Sequence, residues 1–158
     1  MKRADITGKE DSVNLEHVIP YATGVARSSK LHGPAHWARV ASFGAQLVRE
    51  NSGADAHVVE VFAALHDTQR YTDGRDPHHG QRAAELAINL RDVLFEVTDE
   101  QHNLLVEALA KHADGLVSED PTIACCWDAD RLDLPRCGIW IDPVMLSTLA
   151  ARRRAGAL

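Results

Sequence analysis

The chain has 158 residues, 45% hydrophobic and 25% charged, enough for one folded domain with its own core. Acidic residues outnumber basic ones 23 to 17, a formal charge of −6, which argues against broad electrostatic binding to nucleic-acid polymers or anionic lipid and leaves room only for a local basic pocket. The three cysteines, Cys125, Cys126 and Cys137, make neither a disulfide framework nor a CxxC zinc knuckle, so a reducing cytoplasm is the expected setting.

Residues 1–12 are polar, carry no apolar signal-like run and are expected to be loose; residues 13–158 are expected to form a single domain. No stretch is long enough to span a membrane. A first helix is expected over 13–27, interrupted or ended near Pro20. After a loop at Leu31-His32-Gly33-Pro34, a second helix runs from about Ala35 to Glu50 with Val40, Phe43 and Leu47 on its apolar face, stopped by Asn51-Ser52-Gly53. A third spans about Asp55 to His66, and Thr72 to Pro77 is dense in turn residues.

The spacing of Ala83, Leu86, Ala87 and Leu90 predicts a fourth helix over about His79–Leu90. Thr98 with Gln101 resembles a capping box opening a fifth, to about His112, closed by Asp114-Gly115. Asp120-Pro121 begins a sixth, through Leu134, and Asp142-Pro143 begins the last, with Asp142 as its cap. The run Arg152-Arg153-Arg154 reads as a solvated helix end, where cations are favoured. Ile139-Trp140-Ile141 is too short to establish a strand. The fold class is all-α, a compact bundle of about six or seven helices.

The informative residues are polar ones on apolar stripes. His66-Asp67 ends the greasy run Val58 to Leu65, and a carboxylate and an imidazole there need a partner or a metal. His36 lies four before Val40 and seven before Phe43. His79 lies four before Ala83 and seven before Leu86. His112 follows Leu109 by three and Leu105 by seven; Asp130 follows Trp127 by three and Ile123 by seven. Each alone has an ordinary explanation as a hydrogen-bonded core residue. Together they have the character of a metal site built from several helices of one bundle. The stripe selects Asp130 over Asp128, which would face elsewhere, into a supporting position or onto the surface.

In this order His36, then His66-Asp67, then Asp130 within Asp128-Ala129-Asp130-Arg131-Leu132, the chain resembles the HD-domain superfamily of metal-dependent phosphohydrolases, over roughly Leu31 to Leu134. The resemblance implies His36, His66, Asp67 and Asp130 as metal ligands. Some branches, including HD-GYP phosphodiesterases and inositol oxygenase relatives, add two histidines that hold a second metal; His79 and His112 stand in that place. Lys111-His112-Ala113-Asp114-Gly115 is similar to the HD-GYP segment, yet Leu116-Val117-Ser118 follows instead of Gly-Tyr-Pro, so cyclic-dinucleotide chemistry is not implied.

The implied activity is hydrolysis of a phosphate ester or anhydride, with a small phosphorylated molecule or a nucleotide as substrate. The cofactor is a divalent metal (Mn, Ni, Co, Zn, Mg or Fe), one ion expected and a second available to His79 and His112. Asp67, His79 and His112 are the catalytic candidates, the two histidines as second-ion ligands or as general acid. Arg39, Arg70, Lys111 and Arg131 flank the ligands and are candidates for binding the phosphoryl group, and Asp73, Asp76 and Asp114 for orienting ligand histidines. Trp37, Trp127 and Trp140 could stack on a base, with packing the favoured role for the first two. Two other readings share these residues: a di-iron oxygenase, and a non-catalytic module that binds a nucleotide.

Overall fold

The computed structural model describes residues 15–156. The segment 1–12 expected to be loose, and the expected helix start at residue 13, lie outside the described residues. Among those described there are seven α-helices: α1 (Leu15–Val25), α2 (Pro34–Glu50), α3 (Ala56–Leu65), α4 (His79–Leu90), α5 (Asp99–Lys111), α6 (Pro121–Leu132) and α7 (Leu149–Arg154). Two 3-10 turns, Leu134–Cys137 and Pro143–Met145, separate α6 from α7. The only β pairing among the described residues is an isolated bridge between Arg91 and Phe95, and Ile139-Trp140-Ile141 forms no strand. None of the helices is long and apolar enough to cross a membrane.

The helix ends follow local chemistry. Asp55 caps α3 by accepting the Val58 amide. The capping box at α5 is complete: Thr98 accepts the Gln101 amide while the Gln101 side chain accepts the Thr98 amide. Asp120 accepts the amides of Thr122 and Ile123 ahead of Pro121. Gly53 and Gly115 have φ of 86° and 75°, the left-handed turn expected after α2 and α5.

Three expected boundaries differ. α1 runs through Pro20 without interruption: Pro20 is exposed, so water can serve the carbonyl its ring leaves unbonded, while Val18 and Ala22 anchor the other face in the core. α6 stops at Leu132, because Pro135 cannot continue an α-helix and the chain tightens into a 3-10 turn. Asp142 caps only the Pro143–Met145 turn, and the last helix begins at Leu149 with Thr148 as its cap.

Asp128 explains that last difference. It is fully buried, and its two carboxylate oxygens accept the amides of Ser147 and Thr148 at 2.8 and 2.7 Å, holding that segment out of helix. It is therefore neither a surface residue nor a support for the ligands. Asp128→Ala would strand the buried Thr148 amide and the part-buried Ser147 amide, and an expected loss of about 2–4 kcal/mol follows. Thermal melting should fall by roughly 5–15 °C while bound metal stays constant.

α3 is the axis of the bundle. It is apolar apart from His57 and Glu60, and seven of its residues, Val58, Val59 and Val61 to Leu65, are buried. α1, α2, α5 and α6 all pack on it, with α4 laid against α5. The close approach of α2 to α3 needs Gly44, where an added Cβ would stand 2.5 Å from Val59 Cγ1. The C-terminal end of this central helix delivers His66-Asp67 to the middle of the molecule.

Candidate metal centre

Five elements converge on that point. His36 comes from the first turn of α2, His66 and Asp67 from the end of α3, His79 from the start of α4, His112 from the C-cap of α5 and Asp130 from the last turn of α6. The four imidazoles and Asp67 are buried; the Asp130 side chain keeps 18% of its surface exposed. Three helix C-termini and two N-termini thus meet at the site, so the helix dipoles largely offset one another and the local charge is set by the side chains. Phe62 stacks on His66 with ring centroids 5.1 Å apart and meets His112 edge-on at 5.9 Å, closing the apolar side.

Each candidate ligand imidazole is fixed through Nδ1. His36 donates to Asp133 Oδ2 at 2.7 Å, His66 to the Ala63 carbonyl at 3.1 Å, His112 to the Leu109 carbonyl at 2.8 Å, and His79 to the Asp76 carbonyl. A carbonyl or an ionised carboxylate can only accept, so Nδ1 carries the proton on every ring and each Nε2 presents a lone pair. These Nε2 atoms are aimed at one another: His36 and His66 Nε2 are 3.0 Å apart, and His79 and His112 Nε2 are 2.9 Å apart. Two lone pairs at that distance repel unless a proton or a metal ion lies between them, so each pair is capable of holding either.

The donors form two groups that share Asp67. In the first, Asp67 Oδ2 lies 3.5 and 3.6 Å from the Nε2 atoms of His36 and His66, and Asp130 Oδ1 lies 3.2 and 3.6 Å from the same two nitrogens. In the second, Asp67 Oδ1 lies 3.3 and 3.7 Å from the Nε2 atoms of His79 and His112. Ligand bonds of roughly 2.1 Å place neighbouring donors about 3.0–3.4 Å apart in octahedral or tetrahedral geometry, so both groups fit a divalent ion. Nitrogen and carboxylate donors together suit Zn, Mn, Fe, Co or Ni. The second group has three donors, leaving positions for water or substrate.

Electrostatics agree with a site built for positive charge. Burial acts to raise the carboxyls of Asp67 and Asp130, but the surrounding histidines hold both well below the usual range. Burial acts to lower His36, but hydrogen bonds to Asp130, Asp67 and Asp133 push it up to about 9. A proton therefore takes the cation's place when no metal is bound. Metal uptake near neutral pH should release that proton, and apparent affinity should rise with pH by up to about tenfold per unit until about 9. In chelator the sign reverses: the stability that protonated His36 contributes is complete below its ordinary 6.5 and is lost as pH rises through about 9. Melting with and without chelator between pH 6 and 10 reads both effects.

The flanking cations separate sharply. Arg70 reaches the site, its Nε donating to Asp67 Oδ1 at 3.1 Å while Nη1 donates to the carbonyls of Thr72 and Gly74. Arg39 is half-exposed and donates to Asp133, behind His36. Lys111 pairs with Glu107 one turn back on the exposed face of α5. Arg131 is buried against Trp127 and donates to the Met145 carbonyl, since one residue past Asp130 points a different way around α6. Of the loop acids, Asp76 supports His79 through its carbonyl rather than its carboxylate, which binds Arg82 and the Tyr71 amide; Asp73 accepts from Ser29. Trp37 and Trp127 are buried and donate to the carbonyls of His32 and Ala108, whereas Trp140 is 94% exposed.

Three residues at the site were not singled out from the sequence. Asp133 holds His36, Arg39 and the turn after α6 together. His32, in the loop before α2, places Nδ1 2.9 Å from Asp67 Oδ2. Arg136, in the 3-10 turn after α6, directs Nη2 toward His36 Nε2 at 3.2 Å. His32 is four before His36, a helical spacing that was readable, but it lies outside the helix that Pro34 begins.

No protein-family model matches the sequence, and neither does any curated protein. The three-dimensional arrangement does match a solved one. The crystal structure of a predicted HD superfamily hydrolase from an uncultured Thermotogales bacterium aligns over 90% of this chain and 83% of that one, with a TM-score of 0.70 and 22% identity. The chain has the HD-domain fold, and its buried His/Asp groups are capable of holding metal.

Proposed function

We propose that this chain is a metal-dependent phosphohydrolase acting on an ester or anhydride of a small phosphorylated molecule, a nucleotide among the candidates. The observation that carries the reading is the division of Asp67 between two pairs of imidazoles, one oxygen to each. One ion would be held by His36, His66, Asp130 and Asp67, and a second would find donors in His79, His112 and Asp67. Bound there, a divalent metal would supply Lewis acidity to a phosphoryl oxygen and an acidified water as nucleophile.

The protein's own contribution is positional. His36, His66 and Asp130 hold one side and His79 and His112 the other, with every Nδ1 tied back so that the rings cannot turn. His79 and His112 serve better as ligands than as general acids, because each Nε2 faces the other and Asp67. Arg70 limits the negative charge on Asp67. Burial of the imidazoles keeps bulk water from competing for the donors.

The test is metal analysis of the purified protein followed by a phosphatase panel with Mn, Co, Ni, Zn or Mg, in wild type and in His66→Ala and Asp67→Ala. Phosphate release that needs metal and is lost in both variants supports the reading. Activity that persists in both variants and in chelator ends it. Tightly bound iron with oxygen uptake, and no phosphate release, would transfer the same ligands to an oxygenase.

A further inference from the structure

The turn that follows the last ligand helix brings a cation to the site that neither the ligand pattern nor its immediate flanks include. Arg136 lies in the Leu134–Cys137 turn, closed by Gly138 in a left-handed conformation with φ of 71°. Its side chain is only 11% exposed. Nε donates to the Leu31 carbonyl at 2.9 Å and Nη1 to the Asp133 carbonyl at 2.9 Å, so the guanidinium is held flat from two sides. Its paired carboxylate, Asp133, stands 3.6 Å away on the Nε side.

The remaining nitrogen, Nη2, points into the site. Its neighbours are His36 Nε2 at 3.2 Å and His32 Nδ1 at 3.4 Å. Neither is a durable acceptor. His32 Nδ1 lies 2.9 Å from Asp67 Oδ2, an ionised oxygen that can only accept, so that nitrogen carries its own hydrogen. The lone pair of His36 Nε2 belongs to the group it forms with His66 and Asp130. Metal loading therefore leaves Nη2 a part-buried, charged donor without a side-chain acceptor, directed at the first ligand group. An anionic oxygen is the strongest partner for such a donor.

We infer that Arg136 is the substrate-binding cation of this centre, its Nη2 holding a phosphoryl oxygen over the His36 side. The inference rests on the phosphohydrolase reading for its choice of anion. Arginine suits the task because its fork can be fixed by carbonyls at one edge and still present donors at the other; the ammonium of lysine cannot do both.

The experiment uses the full chain loaded with zinc and inorganic phosphate as the probe, followed by calorimetry, with acetate as a competing anion. Wild type should bind phosphate in preference to acetate. Arg136→Gln should weaken phosphate binding by about ten- to a hundredfold with zinc content unchanged, and Arg136→Lys by a smaller factor. As a measurement without mutation, the Arg136 guanidinium resonances of wild type should shift on phosphate addition. Phosphate binding within twofold of wild type in the folded variants, no resonance shift at saturation, no phosphate binding by wild type, or equal affinity for acetate overturns the inference. The phosphatase panel is read separately. Arg136-dependent phosphate binding without turnover removes the hydrolase reading and keeps this one, whereas turnover with binding indifferent to Arg136 does the reverse.

Discussion

Asp67→Ala should empty both halves of the centre at once. The side chain is buried, and its two oxygens face five imidazoles between them: His32, His36 and His66 on one side, His79 and His112 on the other. Alanine leaves those rings, and Arg70, without their shared anion. Metal content should drop toward none. Phosphohydrolase activity should fall by on the order of a thousandfold or more, beyond the roughly 10²–10³ lost with a single electrostatic contact. Asp67→Asn keeps the volume and one oxygen but presents an amide nitrogen that cannot ligate, so its metal content should fall between those of wild type and Asp67→Ala. Elemental analysis of the three proteins decides the matter, and metal content equal to wild type in Asp67→Ala would remove Asp67 from the ligand set.

Gly80→Ala should damage the second half of the centre from outside it. Glycine inside a helix ordinarily costs about 1 kcal/mol relative to alanine, so on propensity alone the change should stabilise α4. The packing reverses the sign. An added Cβ would stand 2.6 Å from the Leu109 carbonyl oxygen, 3.0 Å from that of Ala110 and 3.2 Å from His112 Nδ1. Those atoms are backbone or fixed by backbone, and overpacking of this kind costs about 1–3 kcal/mol. The Leu109 carbonyl is also the acceptor that orients His112, and Gly80 adjoins His79, so the clash separates the two imidazoles. Loss of one ion and a melting temperature lower by roughly 3–8 °C are expected. Gly24→Ala is the control, since a Cβ there meets nothing within 4 Å. Equal metal content in Gly80→Ala and wild type would show that α4 and α5 can part without moving their ligands.

Much of the candidate site was legible because its ligands obey local rules. His36, His66, His79 and His112 sit on the apolar stripes of their own helices, and stripe membership predicts burial. The same geometry, together with the family's Asp-Arg-Leu pattern, pointed to Asp130 rather than Asp128, and the structure buries Asp128 against Ser147 and Thr148 instead. The cations were poorly legible for the opposite reason. Adjacency in sequence placed Lys111 and Arg131 beside candidate ligands, yet neighbours on a helix point about 100° apart. Arg39, three residues on from His36, is drawn instead to Asp133, and of the four only Arg70 reaches a candidate ligand carboxylate.

What the amino-acid order by itself determined is therefore the helices, most of their caps and the inward-facing imidazoles and acids, all properties decided within a few residues by hydrogen-bond chemistry and periodicity. What only the tertiary structure decided is how these share one space. Asp133 meets His36 across 97 positions and Arg136 meets it across 100, and Asp67 divides its oxygens between rings on α2, α4 and α5. No local pattern encodes such meetings, because they depend on the angles at which helices pack, and those are set by close contacts such as Gly44 on Val59 and Gly80 on the Leu109 carbonyl.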